Sequence, residues 1–552
     1  MKRCKPTRDN AVLTFGHRRS QVLKPIVSPL GSLIIAVILI SGLLAAGCSA
    51  TAPPTERDSI WPTEGWLLST PEDEGMNSAP LDLMMERIDE YQVPIDSVVV
   101  VRHGRIVFEQ YRGHYDEVSS HHLQSVTKSF TSTLIGIALQ EGFIESVDQP
   151  LLDFYSGHTI DNPDPRKEQI TLEHLLTMSP GLDWHEVDYP YTDRRNSLGQ
   201  MWNSRDVVQH VLDHPMVRDP GAAWSYNSGT SILLGDIVEQ ASGMSPAVFA
   251  REYLFDPLGF GATYMAATND GRHFHTDGGL YMTPRDMARL GYLMLHDGVW
   301  EDERLLPEGW VEQATTTRFE TSPGHGYGYQ WWTIADTDIF YASGHYDQAI
   351  YVIPQADMVV VFTADVPDEA IHPLEGFLFR YILGACADLP VGYLERQFTE
   401  YGFHFEYGTE YYVAQNPLPG MDEVTQQSGT VQFSFVNYPI EIFTVLWHSA
   451  FAGMNADETL EAATALLTEQ PGLTTTWRES RELAIGERGI QFGILDVETE
   501  GLSLTGLVGV WACNAGEQAF VLTFVTDAPA TSEDLIARLG ELLDTFSCQQ
   551  AG

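Results

Sequence analysis

Apolar residues follow a helical period in some stretches of the chain and form strand-like runs in others. Leu81, Met84 and Ile88 recur at helical spacing and predict a helix over about Ala79–Tyr91. Apolar runs on either side of His103-Gly104 predict two short strands joined by a turn. The chain therefore begins its folded part with a helix followed by a hairpin.

Helical segments dominate from residue 125 to about residue 295, and strands return after them. Strand-like runs stand at Gly328–Trp332, Ile339–Tyr341, Ala349–Ile353 and Met358–Ala364. Strands at both ends of a helical middle predict one antiparallel sheet assembled from distant parts of the chain, with a helical insertion beside it. We expect this α+β unit to span residues 75–390.

The last part of the chain predicts a separate, small α+β domain over residues 400–552. Its strand-like runs stand at Val431–Val436, Ile440–Trp447, Ile490–Val497, Gly506–Ala512 and Ala519–Thr526, with helices near Glu458–Thr468 and over Ser532–Asp544. Its sequence holds no cluster of side chains typical of a nucleophile. We expect a binding or spacing role, with an unknown partner.

The first 48 residues predict an export signal. A basic stretch precedes an apolar run from Leu30 to Ala46, and small residues then lead into Cys48. This order resembles a bacterial lipoprotein signal, in which Cys48 is lipidated and a linker over 49–74 holds the body off the membrane. An uncleaved anchor helix and plain secretion stay open. All three place the body outside the cytoplasm.

Composition excludes some classes of partner and site. The formal charge of -45 disfavours nucleic acid and anionic lipid headgroups. The five cysteines have no CxxC spacing, and the sequence leaves open whether Cys513 pairs with Cys548. The HExxH pattern of zinc proteases is absent as well. We expect no metal and no organic cofactor.

Only two lysines follow residue 48, and one of them stands three residues after a serine. Lys128 and Ser125 share one face of a predicted helix, which brings amine and hydroxyl within hydrogen-bond reach. A desolvated lysine can lose its proton and act as a base toward the hydroxyl, which arginine cannot do. An apolar run behind the motif indicates that the helix is buried. Ser125 is therefore a candidate nucleophile.

A second candidate element lies about a hundred residues further on. A turn leads into Trp224-Ser225-Tyr226-Asn227-Ser228-Gly229, followed by an apolar helix. A tyrosine close to a lysine ammonium can have a lowered pKa and act as a general base. A core tyrosine beside a turn would have the same pattern. This element therefore indicates a catalytic tyrosine only in combination with Ser125 and Lys128.

Several motifs in one order resemble the serine hydrolases related to class C β-lactamases and penicillin-binding proteins. They are Ser125–Lys128, Leu172–Met178, Gly181–Trp184, Trp224–Gly229 and Gly278–Leu290. The forms Ser-Val-Thr-Lys-Ser-Phe and Tyr-Asn-Ser-Gly are most similar to the branch with 6-aminohexanoate-dimer hydrolases and related esterases. The resemblance implies a β-lactamase-like antiparallel sheet flanked by helices, with a helical subdomain.

The resemblance also implies roles for individual residues. Ser125 would be the nucleophile, Lys128 its activating partner, and Tyr226 the base and proton shuttle. Ser228 falls where many relatives have asparagine, and we expect it to bond Lys128 or the substrate. The expected activity is hydrolysis of small esters or amides through a serine acyl-enzyme.

The third family motif, a strand with Lys/His-Thr/Ser-Gly, best matches Ala342-Ser343-Gly344-His345. Its leading cation is missing, which argues against penicillins as natural substrates. His345 is a candidate to replace that cation in part, with an ordinary loop or core histidine as the open alternative, and its backbone N–H is the candidate second oxyanion donor. Gly344 and His345 are thus predicted to bind substrate.

The resemblance to amide-hydrolysing relatives makes Tyr189 and Tyr191, in the loop after Trp184, candidates for binding a leaving amine at the pocket rim, and an ordinary aromatic-rich surface loop stays open. Two alternatives to the hydrolase stay open. One is a β-lactamase or D-alanyl-D-alanine carboxypeptidase. The other is a catalytically silent cell-wall or ligand receptor.

Overall fold

The computed structural model describes residues 61–548. Within this range, the description leaves out residues 369, 391, 402, 419–422, 452–453, 455–457, 463–473, 486–487, 500–501, 514–517, 529 and 545. The predicted signal, Cys48 and the first part of the predicted linker lie outside the described residues. Across the described ranges, no helix combines the length and the apolar character needed to cross a membrane.

The strands up to residue 364 form one large sheet and two small ones. They are β1 (Leu67–Leu68), β2 (Ile95–Arg102), β3 (Arg105–Tyr111), β4 (His121–His122), β5 (Tyr264–Met265), β6 (Leu280–Met282), β7 (Val299–Trp300), β8 (Glu303–Arg304), β9 (Phe319–Ser322), β10 (His325–Tyr327), β11 (Trp332–Ile334), β12 (Phe340–Gly344), β13 (Gln348–Ile353) and β14 (Met358–Ala364). The large sheet has the order β1-β3-β2-β14-β13-β12-β11-β10-β9, in which only β1 pairs in parallel. Pairing of β2 with β14 joins distant parts of the chain, as predicted.

Helices cover both faces of this sheet. They are α1 (Ser78–Glu90), α2 (Val126–Gln140), α3 (Leu172–Leu176), α4 (Ser197–Trp202), α5 (Val207–Leu212), α6 (Ser228–Ser242), α7 (Pro246–Ala250), α8 (Pro284–Leu295), α9 (Trp310–Thr315) and α10 (Leu374–Gly376), which continues as a helical stretch to Ala385. Helices α2, α6 and α8 belong to the core on one face, and α1 and the stretch after α10 to the core on the other. The predicted α+β fold class is confirmed.

The valine run in β2 shows why this strand is apolar at every position. Successive side chains of a strand point to opposite faces of the sheet. Val99 and Val101 pack in the core that contains α2, whereas Val98 and Val100 pack in the core that contains α1. Both faces are covered, so the chain shows a continuous apolar run instead of an alternation.

The predicted strand at Gly328–Trp332 is wrong over most of its length. Residues 328–331 form the connection between β10 and β11, and only Trp332 begins a strand. Gln330 has a left-handed backbone, with φ of 60°, and its N–H bonds the carbonyl of Leu176. Aromatic residues at this turn reflect burial, since Tyr329 and Trp331 are each 1% exposed or less.

Residues after 394 form further sheets. Their strands are β15 (Glu395–Phe398), β16 (Phe403–Gly408), β17 (Tyr412–Asn416), β18 (Ser428–Phe435), β19 (Glu441–His448), β20 (Thr474–Ile485), β21 (Arg488–Thr499), β22 (Leu502–Cys513), β23 (Gln518–Thr526) and β24 (Ser547–Cys548). All strands from β17 to β23 belong to one antiparallel sheet. Residues 458–462 are helical, and α11 (Ser532–Asp544) packs Leu535 and Leu542 into the same core as Phe433 and Phe443. The domain boundaries at 390 and 400 stay a prediction.

Candidate active site

Ser125 stands at the entrance of α2, one residue before the first helical position. Gln124, just before it, has a left-handed backbone with φ of 50°, a conformation that non-glycine residues adopt rarely. Helix α2 is buried over almost its whole length, from Val126 to Ala138. The surrounding core therefore fixes the helix and, with it, the position of the serine.

Lys128 lies one turn into α2 and is 3% exposed. Its Nζ donates to Ser125 Oγ at 2.9 Å and to the backbone carbonyl of Asp277 at 2.6 Å. The spacing of three residues along a helix accounts for the first bond. The structure thus brings together the amine and the hydroxyl that the sequence singled out.

Tyr226 immediately precedes α6, whose first turn is capped by the side chain of Asn227. Lys128 Nζ lies 5.2 Å from the centroid of the Tyr226 ring. Burial and the charge of Glu186 raise the pKa of Tyr226 above its ordinary value, although a hydrogen bond with Ser125 opposes the rise. The expected lowering of the Tyr226 pKa is therefore not found, because burial and the charge of Glu186 outweigh the hydrogen bond with Ser125.

Ser228 is 1% exposed and bonds a residue that the sequence analysis missed. Its hydroxyl donates to Glu186 Oε1 at 2.6 Å, and its backbone N–H donates to Glu186 Oε2 at 2.8 Å. The hydroxyl proton of Ser228 is thus committed to Glu186. This bond to a buried carboxylate was not foreseen, and a further bond of the Ser228 oxygen with Lys128 or with substrate stays a prediction.

Glu186 is 2% exposed and also accepts a bond from Trp184 Nε1 at 2.9 Å. Burial raises the pKa of its carboxyl, while the charge of Lys128 and the bonds from Ser228 oppose the rise. The only sequence signal for Glu186 is its place in the loop that was interpreted as an aromatic rim. A carboxylate in such a loop is ordinarily exposed, so its burial was not foreseen.

Asp277 is a second buried carboxylate beside Lys128, and it too was missed. Its Oδ2 accepts a bond from Trp202 Nε1 at 3.1 Å, and its Oδ1 lies 3.1 Å from His275 Nδ1. Burial acts to raise the pKa of Asp277, but the bond with His275 and the charges of His275 and Lys128 outweigh it and lower the pKa. Lys128 is thus flanked by the charges of Glu186 and Asp277.

Gly344, at the end of β12, passes directly beside the nucleophile. A Cβ on Gly344 would lie 2.5 Å from the carbonyl oxygen of Leu123 and 3.1 Å from the backbone N of Ser125. A side chain does not fit there, which explains the glycine. Ala342 is fully buried and supplies no cation at the start of this motif.

His345 and Tyr191 close this part of the site. Their ring centroids lie 5.4 Å apart, and His345 Nε2 lies 3.1 Å from Asp368 Oδ1. Tyr189 contacts Arg195 instead, whose guanidinium carbon lies 4.0 Å from its ring centroid. Of the two candidate rim tyrosines, Tyr191 alone lines the cavities described next.

Two cavities open beside Ser125. A cavity of about 550 Å³ is lined on one side by Tyr226 and Trp332, and a second of about 450 Å³ contains Lys128 and Ser228. Both share Ser125, Tyr191, His345 and Tyr346. The hydroxyl of Ser125 therefore stands where two parts of a substrate can meet. The catalytic roles of these residues stay predictions.

One cluster of metal-ligand type occurs among the described residues. Ligand atoms of Asp206, Asp270 and His273 lie within 4.8 Å of one another. Asp270 already accepts bonds from Thr268 and from the backbone N–H of Val207. Both carboxylate oxygens of Asp270 thus accept hydrogen bonds from within the protein. The absence of a metal cofactor stays a prediction.

Comparison with known proteins defines the family. The sequence profile of the Beta-lactamase family matches residues 81–372, just over half of the chain. The chain belongs to this family. The fold and the Ser-Lys pair thereby define a serine hydrolase.

Individual relatives share a modest part of their sequence with this chain. The 6-aminohexanoate-dimer hydrolase of Paenarthrobacter ureafaciens is 26% identical over 294 residues, which are 50% of this chain and 73% of that protein. The lovastatin esterase of Penicillium rubens is 28% identical over 191 residues, which are 32% of this chain but only 47% of the esterase. A solved structure from Bacillus anthracis, provisionally named a 6-aminohexanoate-dimer hydrolase, has a TM-score of 0.49 at 24% identity. It covers 55% of this chain and 82% of its own.

Proposed function

We propose that this protein is an exported hydrolase that cleaves small esters or amides through an acyl-enzyme on Ser125. The observation that carries the proposal is the distance of 2.9 Å between Lys128 Nζ and Ser125 Oγ, at the junction of two cavities. A hydroxyl held by a buried amine beside space for a substrate has the arrangement of an activated nucleophile.

In the first step, Ser125 Oγ attacks the carbonyl carbon of the substrate, and the bond from that carbon to the leaving group breaks. The raised pKa keeps Tyr226 a protonated phenol at neutral pH. We therefore assign Tyr226 a relay role, in which it accepts the proton of Ser125 only as it passes its own proton to the leaving group. Lys128 supports this transfer from the other side of the Ser125 hydroxyl.

The negative charge that develops on the substrate oxygen needs two hydrogen-bond donors. The backbone N–H of Ser125, at the start of α2, is one candidate, and the backbone N–H of His345 is the other. The close approach of Gly344 to Ser125 brings the end of β12 next to the first donor. In the second step, water attacks the acyl carbon and gives a proton to Tyr226 as Tyr226 passes its own proton to Ser125 Oγ, and the bond from the acyl carbon to Oγ breaks to release the acid.

The names of the relatives and the residue Ala342 support the proposed class of substrate. One relative is named for hydrolysis of a 6-aminohexanoate dimer, an amide, and another for an esterase activity. A buried alanine at the position of the family's cation disfavours β-lactams, whose carboxylate that cation supports. Export through the predicted signal, and lipidation at Cys48, are part of the proposal.

The test is hydrolysis of p-nitrophenyl butyrate and of a chromogenic cephalosporin by the full chain and by Ser125→Ala. Ester turnover that the substitution abolishes, with little cephalosporin turnover, supports the proposal. Turnover of the cephalosporin at a similar rate would favour a β-lactamase. Equal ester rates in both proteins would remove Ser125 from the mechanism and favour a receptor.

A further inference from the structure

The larger cavity beside Ser125 has an aromatic side. Four rings follow one another from Tyr226 through Trp332 and Tyr341 to Tyr351. Consecutive centroids are 6.2, 6.2 and 5.1 Å apart, and consecutive ring planes differ by 26°, 23° and 22°. All four residues line the cavity. We call this space, with Ser125 at its edge, the aromatic-acidic cavity.

Three carboxylates line the same cavity, namely Asp347, Asp368 and Glu375, and its lining in the described part of the chain includes no lysine or arginine. The side chains of Asp368 and Glu375 are 66% and 39% exposed. Asp347 Oδ1 lies 2.7 Å from His372 Nδ1, while its Oδ2 is buried and has no hydrogen-bond partner among the residues that the structure describes. The cavity therefore carries more acidic than permanently basic groups.

These surroundings disfavour an anion and favour a cation. A carboxylate of a substrate would face three acidic side chains without a lysine or arginine to pair with. An ammonium group gains from the negative faces of aromatic rings and from nearby carboxylates. Each of the three carboxylates has a histidine neighbour: His345 for Asp368, His372 for Asp347, and His325 for Glu375.

On this basis, and resting on the proposed hydrolase function, we propose that the aromatic-acidic cavity binds a cationic group of the substrate. The natural substrates are then esters or amides that carry an amine or a quaternary ammonium. The cation lies on either the acyl or the leaving-group side, so the test must examine both sides.

Two pairs of substrates separate the effect of the substrate's positive charge from the effect of its shape. The acyl pair consists of the p-nitrophenyl esters of 6-(trimethylammonio)hexanoate and of 7,7-dimethyloctanoate, its uncharged isostere. The leaving-group pair consists of butyrylcholine and 3,3-dimethylbutyl butyrate. We expect the full chain to prefer the cation in at least one pair by about tenfold in kcat/KM, mainly through KM.

The variant Asp368→Asn/Glu375→Gln removes two of the three carboxylates. We expect it to reduce the preference for the cation, measured as the ratio of kcat/KM for the cationic ester to kcat/KM for its neutral isostere, at least about threefold. Glu252→Gln/Asp302→Asn makes the same change in net charge at two exposed positions that do not line the cavity. This control should keep the wild-type preference.

The outcomes separate the two proposals. If both pairs are hydrolysed in a Ser125-dependent way without preference for the cation, the cation site is refuted while the hydrolase stands. A preference that both double variants keep equally would also refute the site, since the overall charge of the chain would explain it. If Ser125→Ala hydrolyses the esters as fast as the unmodified chain, the hydrolase proposal itself fails.

Discussion

Glu186 Oε1 accepts a hydrogen bond from the Ser228 hydroxyl at 2.6 Å, and the charge of nearby Lys128 opposes the rise that burial causes in the pKa of Glu186. The buried amine at the nucleophile therefore has a buried acid as an electrostatic neighbour. Ser228 connects Glu186 to the start of α6, directly after Tyr226. We infer that Glu186 is a positioning residue for both Lys128 and Tyr226.

Glu186→Gln tests this role. The glutamine has no charge and cannot accept all the bonds that Ser228 and Trp184 donate, so one buried donor loses its partner. We expect kcat/KM for p-nitrophenyl butyrate to fall about 10- to 100-fold, which corresponds to about 1.4–2.7 kcal/mol. Circular dichroism and the melting temperature should show that the variant is folded.

The dependence of activity on pH distinguishes an effect of the Glu186 charge from an effect of its packing. Burial raises the pKa of Glu186, so on acidification it becomes protonated at a higher pH than an exposed glutamate. We expect the activity of the unmodified protein to fall as pH decreases through that range, and Glu186→Gln to lose this limb. An acid limb that is identical in both proteins would contradict the role.

Gly344→Ala should disturb the nucleophile while the sheet persists. The added methyl group would lie 2.5 Å from the carbonyl oxygen of Leu123, which is too close for real contacts, so β12 must move away from Ser125. We expect kcat to fall at least about tenfold, because a shift of the oxyanion donors costs transition-state stabilisation. Gly384→Ala, whose Cβ meets nothing closer than 3.6 Å, is the matched control. Equal effects of the two substitutions would count against this account of Gly344.

Asp96 is expected to make stability depend on pH. Burial, followed by the charge of Asp365, raises its pKa from 3.8 to about 6. A folded-state pKa above the unfolded value destabilises the fold as pH rises from 3.8 to about 6, after which the cost is constant. Asp96→Asn should therefore raise the free energy of unfolding by roughly 1–2 kcal/mol at neutral pH, less than the full shift implies because water reaches the side chain.

Urea unfolding at about pH 4 and about pH 8 measures this difference. The gain from Asp96→Asn should be much smaller at the acidic pH, where the carboxyl is almost fully protonated in the folded state and partly protonated in the unfolded chain. A gain of the same size at both pH values would show that packing, rather than ionisation, explains it.

Glu441 stabilises the packing of β19 against the helical stretch after α10. Its Oε2 accepts bonds from Arg380 at 3.1 Å, from Arg538 at 3.1 Å and from Tyr411 at 2.8 Å. Glu441→Gln removes the carboxylate that Arg380 and Arg538 share, while Glu410 and Glu541 still pair with them, so we expect a loss of roughly 1–3 kcal/mol in the free energy of unfolding. Glu533→Gln, at an exposed position of α11, should change it by less than about 0.5 kcal/mol. Comparable losses in the two variants would refute the network.

Local patterns allowed prediction of the parts of the fold and site that depend on neighbours in sequence. Ser125 and Lys128 are three residues apart on one helix, and α1, the hairpin of β2 and β3, and α11 follow their apolar patterns. The family resemblance added Tyr226, which spacing alone would not distinguish from a core tyrosine.

The rest depends on contacts between distant residues. Glu186 and Asp277 look like ordinary acidic residues until the fold buries them beside Lys128, and the raised pKa of Tyr226 follows from the same burial. Strand β20 was missed because its sequence is polar and charged, as an edge strand allows. Gly328–Trp332 was mistaken for a strand because a buried turn can be as aromatic as a sheet.

The most direct test of the account is the mass of the protein quenched during turnover of p-nitrophenyl butyrate. We expect one butyryl group on the peptide that contains Ser125, and its accumulation in Tyr226→Phe, which lacks the phenolic proton needed for efficient release. Turnover in the unmodified chain with the butyryl group on another residue, or with no covalent adduct in either protein, would contradict the acyl-enzyme mechanism.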